Sequence, residues 1–236
     1  MFEDIPRVTL ELSNLCNYSE KHTKCPTGRT DEVCILPLSI IKSVITDLKI
    51  SNWGNNRTIC FHVYNEPTID PRLYWLIEYV CKELPSIKPL LFTNGWYMNE
   101  NLMKELFNIG LDKMLITLYT NRETEKLVPL SKKFPGISFH KAVLKDSLLN
   151  PGDGPPFYKR CHAPLCDLTI RSSGNVGLCC LDYDETVVFG NLYKDSLLDV
   201  MFREYKKMKR LRDRLTRRKR DLPVCKLCYR RRIEHK

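Results

Sequence analysis

Apolar and polar positions alternate along this chain in two rhythms. Val8, Leu10 and Leu12 alternate with Thr9, Glu11 and Ser13, the period of two that marks a short strand. Leu38 to Leu48 then carries Ile40, Ile41, Val44, Ile45 and Leu48 in a helical stripe, closed by Gly54 and two asparagines. Strand-type runs recur at Thr58–Val63, Pro89–Phe92, Leu111–Leu118 and Ile137–Val143. Between them, Asp70 and Pro71 start a helix through about Lys82, and Asn99 caps another that runs to Asn108 and stops at Gly110. Glu123 to Lys133 is a weaker helix. Alternation of this kind predicts an α/β fold, a partial, open (β/α) barrel of about five or six parallel strands.

The pattern changes at Asn150, where NPGDGPP reads as a linker. Residues 1–150 are therefore expected to form one domain and residues 151–236 a small, cysteine-rich α+β extension. The extension opens with a hairpin from Leu168 to Leu181 turned at Ser173-Gly174-Asn175, and closes with a basic helix and PVCKLC.

Composition narrows the class. A chain of 236 residues, 43% hydrophobic, can bury one substantial core or a core plus an appendage. No apolar run approaches the roughly 20 residues that span a bilayer, and the amino terminus lacks a basic-then-apolar signal. A cytoplasmic protein without a membrane segment is expected. Eleven cysteines, several at metal-ligand spacing, then point to metal or cluster ligation more than to disulfides. Much of the net charge of +10 comes from REYKKMKRLRDRLTRRKR, Arg203 to Arg220. Leu198, Met201, Tyr205, Met208, Leu211 and Leu215 fall at helical spacing there, so one side packs while the cations stay wet. A nucleic-acid or acidic-substrate surface is the alternative use of that charge.

Candidate chemistry gathers where strands end. The first strand delivers Cys16 to a polar loop that also holds Cys25 and Cys34, and three soft thiolates select iron–sulfur clusters or zinc over harder cations. The second strand runs into Tyr64-Asn65-Glu66-Pro67 and the third into Thr93-Asn94-Gly95, which places Glu66 and Asn94 at the same mouth. His62 shares strand parity with Glu66, so it either contacts a substrate or is a satisfied core histidine. Tyr18 either shields the cysteine loop or packs. In the extension, Cys161 and Cys179 flank the hairpin and Cys225 pairs with Cys228 in a CxxC, so four thiolates from distant segments can meet around one ion or cluster. Cys166 and Cys180 are spares or substitutes. Cys60 and Cys81 read as small buried hydrophobes.

The ordered set LELSNLCN, YNEP, TNGWYMNENLMKELFNIGLDKMLITLYT, CHAPLCDLTIRSSGNVGLCCLD, GNLYKDSLLDVM and PVCKLC resembles the radical S-adenosylmethionine enzymes that carry a short SPASM or twitch-type extension. The resemblance implies that three cysteines hold a [4Fe–4S] cluster at which S-adenosylmethionine is reductively cleaved to a 5′-deoxyadenosyl radical that abstracts hydrogen. It implies that Asn65 and Glu66 lie near the methionine amino group, that Thr117 approaches the ribose and that Asn94 joins the same mouth. It further implies an auxiliary [4Fe–4S] cluster on Cys161, Cys179, Cys225 and Cys228. The sequence departs from the family in its cysteine loop, where eight residues separate Cys16 from Cys25 and eight more precede Cys34. Cys34 is taken as the third ligand, with His22 as its competitor. The expected reaction is oxidation of a small carbohydrate or aminocyclitol, fed by a flavodoxin- or ferredoxin-type electron donor. A peptide-modifying maturase is the alternative, and a zinc-stabilised nucleic-acid-binding module is the alternative from another class.

Overall fold

The computed structural model describes residues 1–21, 25–27, 32–142, 161–219, 221–226 and 228. Among the described residues, eight strands form one open sheet in the order β5-β4-β3-β2-β1-β6-β7-β8. Strands β1 (Arg7–Leu10), β2 (Thr58–Cys60), β3 (Lys88–Thr93), β4 (Lys113–Leu118) and β5 (Ile137–Lys141) pair in parallel. The helices that return the chain between them are α1 (Leu38–Ile50), α2 (Leu73–Glu83), α3 (Glu100–Asn108) and α4 (Asn121–Leu127). Val8, Leu10, Ile59, Phe61, Leu91, Met114 and Ile116 join helical Ile41, Ile45, Leu76, Ile77, Met103 and Leu106 in the core. By strand alternation, Thr9, Glu11, Cys60, His62, Phe92, Leu115 and Thr117 therefore occupy the face away from the helices.

Local chemistry sets the ends of these elements. Asn99 caps α3 by accepting from the Leu102 amide at 3.0 Å, and Gly110 takes φ 110° beyond it. Thr120 and Glu123 close a capping box on α4. The expected helix to Lys133 breaks after Leu127 into a 3-10 turn, Val128–Lys132, because Pro129 cannot donate to the α-helical ladder. Strand β2 stops three residues short of Val63, since the Asn65 side chain folds the chain back on itself.

The extension is joined to the sheet. Strand β6 (Leu168–Ile170) pairs in parallel with β1, Val8 opposite Leu168, and is the sixth parallel strand. It covers a strand edge that would otherwise present unpaired backbone groups. The expected hairpin follows: β7 (Asn175–Gly177) runs antiparallel to β6, with Gly174 at φ 78°, and β8 (Val188–Asn191) adds to it. The linker at Asn150 lies outside the described residues. Helix α5 (Leu197–Thr216) buries Met201, Met208 and Leu215 and keeps its cations outside, as its spacing requires; the short α6 (Pro223–Lys226) closes the extension. No helix among the described residues is long and apolar enough to cross a membrane.

Candidate functional site

The cysteine loop leaves β1 and is tied to the turn after β2. The Glu66 amide donates to the Leu15 carbonyl at 2.9 Å, and the Thr27 hydroxyl, 3.0 Å from the Cys25 sulfur, donates to the Tyr64 carbonyl at 3.1 Å. Cys16 sits where these threads cross. Its sulfur faces the Tyr18 amide at 3.4 Å and the Asn94 side-chain amide at 4.0 Å. Burial first, then the Glu66 carboxylate and Cys25, push its thiol up to about 12.

Glu66 is the electrostatic centre of this end of the sheet. It is buried, and burial raises its carboxyl against the pull of its donors. Its Oε1 accepts from the Thr68 amide and hydroxyl and from the Thr93 hydroxyl at 2.7 Å, while among the described residues Oε2 accepts only from the Asn94 amide at 2.7 Å. One oxygen is saturated and the other keeps acceptor capacity, which fits a cationic amino group arriving from the loop side. Asn94 is held by Asn17, its amide donating at 2.7 Å, and itself caps Trp96. Asn65 spends both ends of its amide on its own turn, accepting from Val63 and donating to Phe61. Its place is beside Glu66, and its hydrogen bonds hold the turn that presents that carboxylate. Thr117 is half-buried on β4, opposite His140.

Two aromatic neighbours carried no legible sequence signal. Tyr18 packs edge-on against Trp96 at 5.9 Å and at a tilt against Tyr119 at 5.3 Å, and its hydroxyl donates to Glu123 at 2.8 Å. Lys21 and Arg122 lie over the Trp96 ring. Tyr119 is within electrostatic reach of both Cys16 and Cys25. Cys34 stands apart from them: its thiol donates to the Ser172 carbonyl at 3.1 Å, and burial, then Glu11, Glu32 and Glu185, push it up. His22 lies outside the described residues.

A second thiol site lies in the extension. Cys161, Cys179 and the Cys225/Cys228 pair, from three separate stretches, line one cavity walled by Ala163, Leu178, Leu181, Leu215 and Val224. Burial pushes the Cys179 thiol well up, with Cys180, Cys161 and Cys228 adding to it. Among the described residues no three His, Cys, Asp or Glu stand at single-ion ligand spacing. Four thiols on one apolar-walled cavity are the number and type of ligand that an iron–sulfur cluster takes. Cys180 is within electrostatic reach of Arg7 and Tyr64, and its carbonyl accepts from the Tyr64 hydroxyl. Cys60 is buried as a small hydrophobe, whereas Cys81 is only half-buried at the edge of the core, where its thiol donates to the Gly110 carbonyl at 3.5 Å. Cys166 is half-buried beside the His162 turn.

Between the two thiol sites, the helix-free face carries a polar floor. Arg7 pairs with Asp167 at 2.6 Å, Thr9 donates to Asp167 at 2.5 Å, and the buried Nε of Arg7 has no hydrogen-bond partner among the described residues. His62 stacks on Phe92 at 5.1 Å above them, and burial, helped by Arg7, lowers its pKa to about 4. An unfolded histidine titrates near 6.5, so between those values the unfolded chain binds a proton that the native chain refuses. Native stability should fall as pH drops through that window, by up to about 3 kcal/mol. Comparing urea midpoints of wild type and His62→Gln from pH 7 to pH 4 checks this: the gap between them should close in acid, and a constant gap would contradict it.

Residues 161–229 match the family model described as SPASM, an iron–sulfur cluster-binding domain. The chain is 22% identical to the S-adenosyl-L-methionine-dependent 2-deoxy-scyllo-inosamine dehydrogenase of Niallia circulans over 216 residues, 85% of each chain. It is 31% identical to an uncharacterized protein of Methanocaldococcus jannaschii over 122 residues, 51% of this chain and 37% of that one. Among solved structures, BtrN in complex with AdoMet and 2-DOIA superposes with TM-score 0.77 at 20% identity, covering 96% of this chain and 93% of that one. The peptide-bound anSMEcpe structure with AdoMet reaches TM-score 0.52 at 13% identity, covering 94% and 87%. Both likenesses are of fold.

Proposed function

We infer that this chain, a radical S-adenosylmethionine enzyme with a SPASM-type iron–sulfur domain, oxidises an alcohol carbon of a small carbohydrate or aminocyclitol. The observation that carries the reading is the second thiol-lined cavity, placed by β6 and β7 against the same sheet that presents Cys16 and Glu66. Hydrogen abstraction alone needs one redox centre. Removing a further electron to reach a carbonyl calls for another, and the extension offers it.

When bound, the first cluster and S-adenosylmethionine supply the hydrogen-abstracting chemistry; the chain supplies place and protection. Cys16 and Cys25 hold the first cluster. Cys34 completes it in this reading by leaving the Ser172 carbonyl, with His22 as the competing ligand. Glu66, with acceptor capacity left on Oε2, would hold the amino group of the methionine part, Asn65 fixes its turn, Asn94 borders the same space, and Thr117 would serve the ribose side. Tyr18, Trp96 and Tyr119 exclude water from the loop side. Arg7, Asp167 and His62 offer polar contacts to a hydroxylated substrate, Arg7 through its unused Nε. Cys161, Cys179, Cys225 and Cys228 hold the auxiliary cluster.

The test is a panel of aminocyclitols, sugars and cysteine-containing peptides, incubated with reconstituted enzyme, reductant and S-adenosylmethionine and read by mass for loss of two hydrogen atoms. An aminocyclitol or sugar product is expected. Cys228→Ala should retain cofactor cleavage and lose that product. Oxidation of a peptide alone would replace this substrate class with the maturase reading.

A further inference from the structure

Tyr64 is where the two thiol sites meet. Its backbone carbonyl accepts from the Thr27 hydroxyl, which lies 3.0 Å from the Cys25 sulfur. Its side-chain hydroxyl reaches the other way and donates to the carbonyl of Cys180, the residue after the cavity-lining Cys179. That carbonyl shares a peptide group with the N–H of Leu181, which lines the same cavity. Burial pushes the Cys179 thiol up, and the Leu181 amide, donating to its sulfur, draws it down. One peptide plane thus joins a phenol to a sulfur, with O–H to C=O on one side and N–H to Sγ on the other.

Hydrogen bonds that share a peptide group strengthen one another, because accepting at the carbonyl polarises the amide and makes its N–H a better donor. Donors on a ligand sulfur favour the more negative, reduced state of an iron–sulfur cluster and so raise its reduction potential. The surroundings of Tyr64 favour a donating hydroxyl. Burial keeps the phenol protonated, while the Arg171 guanidinium, 4.4 Å from the ring centroid, draws on the O–H and makes it the stronger donor. Glu11 accepts from Arg171 at 2.9 Å and from the Tyr64 amide at 3.2 Å, so ring and cation keep their places. Tyr183 stands edge-on to the same ring at 5.0 Å.

We propose that Tyr64 is a positioning residue that raises the reduction potential of the extension's iron–sulfur cluster through the Cys180–Leu181 peptide group. The proposal rests on the reading of the extension as a cluster site and names what tunes that site. Taking an alcohol carbon to a carbonyl removes two electrons and two protons. One of each leaves as the abstracted hydrogen atom, the other proton goes to solvent, and the extension's iron–sulfur cluster accepts the remaining electron. A higher potential makes it the readier acceptor.

The test uses the reconstituted full chain carrying Cys16→Ala, so that the extension's cluster is read alone, by electron paramagnetic resonance during a potentiometric titration. Y64F keeps the ring between Arg171 and Tyr183 and removes only the hydroxyl. At a fixed potential it should raise the ratio of oxidised to reduced cluster about three-fold, which is a potential about 30 mV lower for a one-electron couple. 3-Fluorotyrosine placed at position 64 keeps the shape and donates more strongly, so its potential should rise; it carries the test alone if Y64F takes up no iron. Equal potentials in these chains, or a higher one in Y64F, would overturn the proposal and leave the cluster reading standing. The measurement needs no substrate, so it holds whichever alcohol is oxidised. A Cys16→Ala chain that takes up no iron would sink the cluster reading, and the proposal with it.

Discussion

Cys16→Ala is expected to abolish formation of 5′-deoxyadenosine and to take the iron content of the reconstituted chain from about eight to about four. No other thiol is placed to substitute. Cys16 is the sulfur that meets Asn94, and the carboxylate of Glu66 and the thiol of Cys25 act on it directly. Cys25 and Cys34 already serve the same cluster in this reading, and the extension's thiols surround a cavity of their own. The remaining irons should be those of the extension, so the variant should stay coloured while losing turnover. Full iron with undiminished cleavage in Cys16→Ala would mean that the first cluster lies elsewhere.

Glu11→Ala should produce the largest loss of stability of any single substitution on the helix-free face. Glu11 is buried at the seam of β1 and β6 and accepts four bonds: from Arg171 Nε at 2.9 Å, from the Ser172 amide and hydroxyl at 3.0 Å each, and from the Tyr64 amide at 3.2 Å. Removing it leaves the Arg171 guanidinium, 9% exposed, without its buried counter-ion, a defect that costs about 3–5 kcal/mol. A domain of ordinary stability has about 5–15 kcal/mol in all. Chemical denaturation should therefore show a sharply lowered midpoint, partly recovered in Glu11→Gln, which keeps the acceptor and loses the charge. A midpoint unchanged in Glu11→Ala would show that the seam does not rest on this pair.

The seam also marks where sequence reasoning stopped. Helices α1, α2 and α3 were legible because their apolar stripes and caps, such as Asn99, are encoded within a few residues. The parallel strands were legible from their period. The pairing of β6 with β1 was not, because it joins Val8 to Leu168 across most of the chain and leaves no local pattern. The same limit applies to the site. Glu66 and Asn94 could be placed by the turns that follow their strands, and the four extension thiols by their spacing. Tyr119 and Trp96 could not, since an aromatic beside a strand end is indistinguishable in sequence from one that packs. Asn65 shares a turn with Glu66, yet hydrogen bonds separate their tasks: one amide is consumed by the backbone while the carboxylate keeps an oxygen in reserve.

The most direct test of the central claim is to reconstitute the chain without oxygen, count iron, zinc and sulfide, and then add reductant and S-adenosylmethionine. About eight irons with matching sulfide, little zinc and release of 5′-deoxyadenosine are predicted. Zinc in place of iron, with no cleavage of the cofactor, would contradict the account and leave a structural metal module.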